Sequence, residues 1–117
     1  MFPFESLEVY KKAFRFHKEI LDLLKNCQKS PAYLKNQLGR ATLSILLNIA
    51  EGSAKFSSKD RKNFLVIARG SVFECSALIQ VFYSENLLTE CGKLDHMESL
   101  EELSKMLYTM IKNLEDK

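Results

Sequence analysis

The stretch NFLVIARGSVFECSALIQVFYSENLLT, residues 63–89, decides the fold. Only Arg69, Glu74 and Glu85 are charged within it, and it holds no proline. Apolar side chains placed at about 100° per residue form a stripe along one side, which predicts a helix that faces a core. The predicted core stripe consists of Phe64, Ile67, Ala68, Cys75, Leu78, Ile79 and Phe82. A second apolar group lies on the other side of the helix, at Val66, Phe73, Ala77 and Val81.

The remainder of the chain has the composition of a helical protein. Its 117 residues include 18 Leu but only 4 Val, 4 Gly and 2 Pro, so helix formers dominate and turn residues are scarce. Apolar residues make up 46% and charged residues 27%, values that exclude intrinsic disorder. The length suits one domain over residues 1–117. We therefore expect a single all-α domain.

Capping residues divide the chain into four helices. The predicted spans are residues 7–27, 31–52, 58–88 and 95–115, and the expected start signals are Ser6, Ser30 before Pro31, Ser57 with Asp60, and Asp95 with Glu98. Gly92 is expected in the turn before the last helix. Helices of this length with short connections favour an antiparallel up-and-down four-helix bundle.

The first helix, like the third, is apolar on two sides. One seam contains Val9, Ala13, Phe16, Ile20, Leu23 and Cys27; the other contains Leu7, Tyr10, Phe14, His17, Leu21 and Leu24. A monomeric bundle would leave the second faces of both helices in water, which soluble monomers rarely do. We therefore predict a homo-oligomer, with closed symmetry as the usual solution.

A narrow polar stripe on the second helix carries charges that need partners. Arg40, Asn48 and Glu51 lie on it, and Arg69 and Glu74 on the third helix could complete a buried polar network. Such a network could fix the register of the helices, or it could line a polar cleft or pore.

Catalytic and metal chemistry find little support in the sequence. Three cysteines, Cys27, Cys75 and Cys91, form no CxxC pair, and neither His17 nor His96 has a second ligand at helical spacing. His17, within an apolar seam, is expected to be a hydrogen-bonded core residue. We predict no catalytic residues, no metal site and no cofactor, and hence no enzyme.

The strongest basic feature is the segment that joins the second and third helices. Lys55, Lys59, Arg61 and Lys62 stand there against one carboxylate, beside the backbone N–H groups of a helix N-terminus. Both properties favour phosphate, so the segment is either a nucleic-acid contact or a solvated turn. A second cluster on the first helix, Lys11, Lys12, Arg15 and Lys18, shares its face with acids and is read as a solvated face.

No secretory signal or membrane span is recognisable. The longest uncharged runs, residues 41–50 and 75–84, are about half of what spans a bilayer as a helix. We expect a soluble cytoplasmic protein with no membrane partner.

Several motifs resemble the 23S rRNA intervening-sequence protein family, also called the four-helix-bundle protein family. The resemblance runs over nearly the whole chain and is carried by Phe4, Leu7, Val9, Tyr10, Ala13, Asn48-Ile49-Ala50-Glu51-Gly52, Phe64, Leu65, Ile67-Ala68-Arg69-Gly70-Ser71 and Glu74. It implies a four-helix bundle that assembles as a ring-shaped homopentamer. No enzymatic activity is attached to the family.

Two functions follow as expectations from the residues and the resemblance together. The first is a homopentamer that binds RNA or DNA, or a nucleoprotein partner, through the basic segment. The second is a structural or protein-interaction adaptor, such as an accessory subunit of a reverse transcriptase, without direct nucleic-acid binding.

Overall fold

The computed structural model describes residues 1–115 as four α-helices that surround one apolar core. A short 3-10 turn, Pro3–Ser6, precedes α1 (Glu8–Asn26), α2 (Ala32–Ser53), α3 (Ser58–Ser84) and α4 (Glu90–Glu115), and the described residues contain no strand. Each helix packs against its two neighbours around the bundle, with α3 contacting both α2 and α4 extensively and α1 contacting α4 least. The predicted four-helix, all-α fold is confirmed.

The start of α3 lies where the sequence places it. The Ser57 hydroxyl accepts a hydrogen bond from the Asp60 backbone N–H at 3.1 Å, as expected of an N-cap. The start of α2 differs, because Pro31 takes an extended conformation and its carbonyl accepts the first helical bonds from Leu34 and Lys35. Ser30 is therefore not the cap, and its buried hydroxyl makes no hydrogen bond with the residues described.

The connection between α3 and α4 comes earlier in the chain than predicted. Asn86 adopts a left-handed φ of 59°, and the Leu87 N–H bonds the Phe82 carbonyl at 2.9 Å, a Schellman ending that stops α3 at Ser84. The Thr89 hydroxyl then accepts the Gly92 N–H at 3.0 Å and starts α4. The predicted start at Asp95 and the turn at Gly92 are thus wrong.

The core runs along one side of every helix. From α3 it takes Leu65, Ala68, Ser71, Val72, Cys75, Ile79 and Phe82. The predicted stripe was rotated, since Ile67 is 50% exposed and Leu65 and Val72 take its place. Burial, with a smaller effect of the Glu74 charge, raises the pKa of the Cys75 thiol to about 12.

Helix α3 is also long and apolar enough to cross a membrane, judged by length and composition alone. The core helix of a soluble protein passes the same test. About a third of the relevant segment is buried inside the bundle.

Candidate nucleic-acid interface

The basic segment between α2 and α3 lies at one end of the bundle, and its four cations differ in their surroundings. The Lys55 ammonium lies 5.0 Å from the centre of the Phe64 ring. The Lys55 backbone carbonyl accepts the Arg61 Nε–H at 2.6 Å. Lys62 forms an ion pair of 3.0 Å with Glu115, whereas the exposed Lys59 has no such pair among residues 1–115. The fold therefore places the predicted cations around the start of α3, and Lys59 is the one most accessible to a ligand.

The end of α4 lies beside this basic segment. Glu115 bonds Lys62 and also Lys112, the latter at 3.2 Å. These hydrogen bonds, that from Lys62 first, hold the pKa of the Glu115 carboxyl below its usual range. One carboxylate is thus shared by two lysines and partly neutralises them.

The predicted buried polar network does not form within one chain. Arg40, Glu51 and Glu74 are exposed, and Arg69 turns away from Glu74 to donate its Nε–H to the Ser104 carbonyl of α4 at 3.3 Å. The physical reason is helical geometry: residues 69 and 74 lie about 140° apart around α3 and so face different neighbours.

A smaller set of polar groups joins α2 to α3 instead. The Ser44 and Ser71 hydroxyls are 2.8 Å apart, and the Asn48 amide donates to the Ser44 carbonyl at 2.8 Å. Gln37 donates to Glu74 at 2.6 Å near the other end of the seam. Asn48 and Glu74 therefore keep a part in polar contacts along α2 and α3, while Arg40 and Glu51 make no side-chain bond with the described residues.

The two histidines line the contacts of α1 with its neighbours. His17 Nδ1 lies 2.7 Å from the Thr42 hydroxyl of α2, which confirms that it is a hydrogen-bonded residue, and burial lowers its pKa. The His96 ring meets Phe16 edge-on at 5.9 Å, and its buried Nδ1 has no partner among the described residues. Burial lowers the pKa of His96, against the opposing charges of Glu19 and Asp95.

No metal-binding group emerges from the described residues. Within positions 1–115, no cluster of three or more His, Cys, Asp and Glu side chains could hold an ion. The three cysteines are free thiols: Cys27 is half-buried, Cys75 buried and Cys91 exposed.

An apolar surface remains on the outside of α1, α2 and α3. We call it the outer apolar surface; its side chains are 37 to 50% exposed and comprise Phe14, Leu21, Leu43, Leu47, Ile67 and Val81. Helical spacing places the outer apolar surface around α2. Phe14 lies one turn before His17, which contacts Thr42 of α2, and Ile67 lies one turn before Ser71, which contacts Ser44 of α2. The apolar second face predicted for α3 is exposed in the single chain, but that of α1 is exposed only at Phe14 and Leu21, because Leu7, Tyr10 and Leu24 pack against the core.

The groove between α3 and α4 is a feature that the sequence did not reveal. We call it the α3–α4 groove; Val66, Arg69, Gly70, Phe73, Tyr108, Ile111, Lys112 and Glu115 line it. The Arg69 guanidinium carbon lies 4.9 Å from the Phe73 ring centre and 5.4 Å from that of Tyr108. The spacing of Arg69 and Phe73 is visible in the sequence, but nothing in it signals that Tyr108 meets them.

Comparison with known proteins identifies the family. The family model described as 23S rRNA-intervening sequence protein matches residues 5–109. A crystal structure from Bacteroides thetaiotaomicron, described as a protein with unknown function from the S23 ribosomal protein family, is similar with a TM-score of 0.84 and 27% identity. The similarity covers 89% of this chain and 98% of that one. No curated protein matches. The chain belongs to the 23S rRNA-intervening sequence protein family.

Proposed function

We propose that this protein is a non-catalytic, cytoplasmic homo-oligomer, a ring-shaped pentamer, that binds nucleic acid through the basic end formed by Lys55, Lys59, Arg61 and Lys62. The observation that carries the binding role is the clustering of these cations around the N-terminus of α3, with Lys59 exposed. Amide donors and cations at one helix end favour phosphate. The family description, which refers to a ribosomal RNA intervening sequence, agrees with a nucleic-acid role.

The outer apolar surface supports the assembly. Six large apolar side chains on three adjacent helices exceed the scattered apolar residues normal for a monomer. The surface extends to both sides of α2, toward α1 and toward α3. A cyclic ring uses two different surfaces of each protomer, so this breadth favours a ring over a two-fold dimer. Repetition around a ring would also add weak nucleic-acid contacts together through avidity.

Binding is tested by measuring affinity for labelled RNA and DNA against salt concentration. Each phosphate contact steepens the salt dependence by a slope of about 0.7 to 0.9 in log–log form. The variant Lys59→Ala/Arg61→Ala/Lys62→Ala should bind weakly and with a shallower slope. Lys11→Ala/Arg15→Ala/Lys18→Ala on α1 removes the same charge elsewhere and is the matched control. Affinity that is independent of salt, or that falls equally in both variants, contradicts the proposed site.

Assembly is tested by sedimentation or native mass spectrometry at micromolar concentration. We expect five times the 13.5 kDa chain mass, reduced to smaller species by Leu43→Glu/Leu47→Glu, which charges the outer apolar surface. A clean 13.5 kDa species of the unaltered protein would exclude the ring.

A protein adaptor, such as an accessory subunit of a reverse transcriptase, is the second candidate. It is favoured by a cleft where α1 meets α4, lined by Glu19, Asp95, Glu98 and Glu102. A reverse transcriptase that binds the ring after nuclease treatment, and no longer binds Glu98→Gln/Glu102→Gln, would support this role over direct nucleic-acid binding.

A further inference from the structure

The α3–α4 groove presents a cation between two exposed aromatic rings. Arg69 is held by its Nε bond to Ser104 and lies over both Phe73 and Tyr108. The rings remain 56% and 51% exposed, respectively. Arg69 lies against each ring, and the exposed parts of the two rings are surfaces on which other planar groups can stack.

The hydrogen-bonding capacity of Arg69 is only partly used. Its Nε–H has the Ser104 carbonyl as acceptor, and its terminal amino groups have none among residues 1–115. A half-buried guanidinium with open donors favours a ligand that supplies acceptors, such as the oxygen and nitrogen atoms of a nucleobase edge or a phosphate.

Among residues 1–115, the charged side chains that line the groove are the cations Arg69 and Lys112 and the carboxylate Glu115. Lys62 pairs with the same Glu115, so three cations stand against one carboxylate within this part of the chain. A protein partner with a basic surface would meet repulsion here, whereas a polyanion is attracted.

The groove is continuous with the basic end. Lys59 and Val66 are seven residues apart, which is two turns of α3, so Lys59 lies on the side of the helix that lines the groove. Ten residues separate Lys59 from Arg69, about 15 Å along the helix axis. One nucleic-acid strand can therefore contact the cations and the aromatic rings at once.

We propose that the α3–α4 groove binds unpaired bases of a single-stranded nucleic acid, which stack on the exposed Phe73 and Tyr108 rings and accept hydrogen bonds from the Arg69 terminal amino groups, while the backbone follows Lys59 and Lys62. The inference rests on the nucleic-acid binding proposed above and adds the class of ligand. Bases within a duplex are stacked on one another and cannot reach such a platform, whereas single strands use it without strong sequence preference.

The experiment compares three probes on the full-length protein: an oligo(U) strand of about 20 nucleotides, a duplex of the same length, and heparin. Tyr108→Leu and Phe73→Leu should each weaken binding of the single strand about 5- to 100-fold, the range for one lost base stack. Affinity for the duplex and for heparin should be unchanged. Arg69→Lys, which keeps the charge and loses the planar group, should show the same selectivity.

Tyr33→Leu is the matched control, because Tyr33 is an exposed tyrosine on α2, outside the groove. It should leave all three affinities unaltered. The chain contains no Trp, so the emission of its four Tyr residues can be read directly. Quenching by the bound strand should be reduced in Tyr108→Phe, while its affinity stays near that of the unaltered protein.

The outcomes separate this inference from the proposed function. If the lysine and arginine variants of the basic end lose single-strand binding but Tyr108→Leu does not, the stacking site is wrong and the basic end stands. If the unaltered protein binds none of the three probes, both fail. If Tyr108→Leu changes the oligomeric state, a second copy of the chain occupies the groove and the inference is overturned.

Discussion

Helices α1 and α3 occupy opposite corners of the bundle and are held in different ways. α3 buries seven side chains and packs closely against both neighbours. α1 buries four, and its contacts with α4 are the sparsest in the bundle. Both histidines contact α1 or its neighbours, whereas α3 is hydrogen-bonded to α2 through Ser71 and Glu74 and to α4 through Arg69. The bundle therefore has a firm unit, α2–α3–α4, and a helix that is less firmly attached.

The largest effect is expected from substituting two buried phenylalanines, one on α1 and one on α3. Phe82→Ala on α3 should lower the free energy of unfolding by about 3 to 5 kcal/mol, the usual cost of the lost burial and the cavity left behind. Phe16→Ala on α1 removes an equally buried ring, 2% exposed against 0%. Its cost should be smaller, because α1 can move to close the space. Urea denaturation measures both, and an equal or larger loss for Phe16→Ala would show that α1 is held as firmly as α3.

A second test concerns the close approach of α2 to α3. A Cβ on Gly52 would lie 3.1 Å from the Phe64 Cβ and 3.5 Å from the Arg61 carbonyl oxygen. Gly52→Leu should therefore destabilise the fold by about 1 to 3 kcal/mol. Gly70, whose Cβ would meet nothing within 4 Å, is the control: Gly70→Ala should stabilise the helix by about 0.5 to 1 kcal/mol. Thermal melts of the two variants should move in opposite directions.

Lowering the pH should loosen α1 before α3. The folded state lowers the pKa values of His17 and His96 below 6.5, so the unfolded chain binds protons more readily. The contribution of the two neutral histidines to the free energy of unfolding is therefore present well above pH 6.5 and is lost as the pH falls through and below that value. Hydrogen exchange between pH 7.5 and 5.5 should show faster opening of α1 amides than of α3 amides. A His17→Gln/His96→Gln variant should lose most of this dependence, and uniform protection at both pH values would contradict the assignment.

The smallest effect is expected at the surface contact between α1 and α4. Lys12 forms an ion pair with Glu102, whose pKa is lowered first by that hydrogen bond. Solvent and salt screen exposed pairs, and many contribute nothing measurable. Lys12→Met should leave the melting temperature unchanged within error at 0.15 M salt. A clear decrease would show that α1 depends on this pair more than its packing suggests.

Local signals in the sequence predicted the start of α3 but not the starts of α2 and α4, and contacts between helices could not be predicted. Ser57 capped α3 as predicted because an N-cap depends on residues three positions apart. Thr89 and Asn86 act at equally short range, but the acids at positions 95 and 98 offered a stronger pattern for the start of α4 than Thr89 with Gly92 three residues later.

The candidate site shows the same limit. The lysines and arginine of the basic end could be predicted because they are contiguous in the chain. The partner of Arg69 could not, because its choice of Ser104 over Glu74 depends on which neighbour each side of α3 faces. Tyr108 joins the groove from a helix that starts 21 residues after Arg69, and only the packing of α4 brings it there.

Cys91 offers a practical handle at the end of the bundle remote from the basic segment. It is the exposed one of three free thiols, while burial keeps the Cys75 sulfur protonated and Cys27 is half-buried near the Leu87 carbonyl. About 36 Å of helix α4 separates it from Glu115, the ion-pair partner of Lys62. A maleimide fluorophore should therefore attach selectively there without touching the basic end. Stepwise photobleaching of single labelled particles would then count the protomers directly.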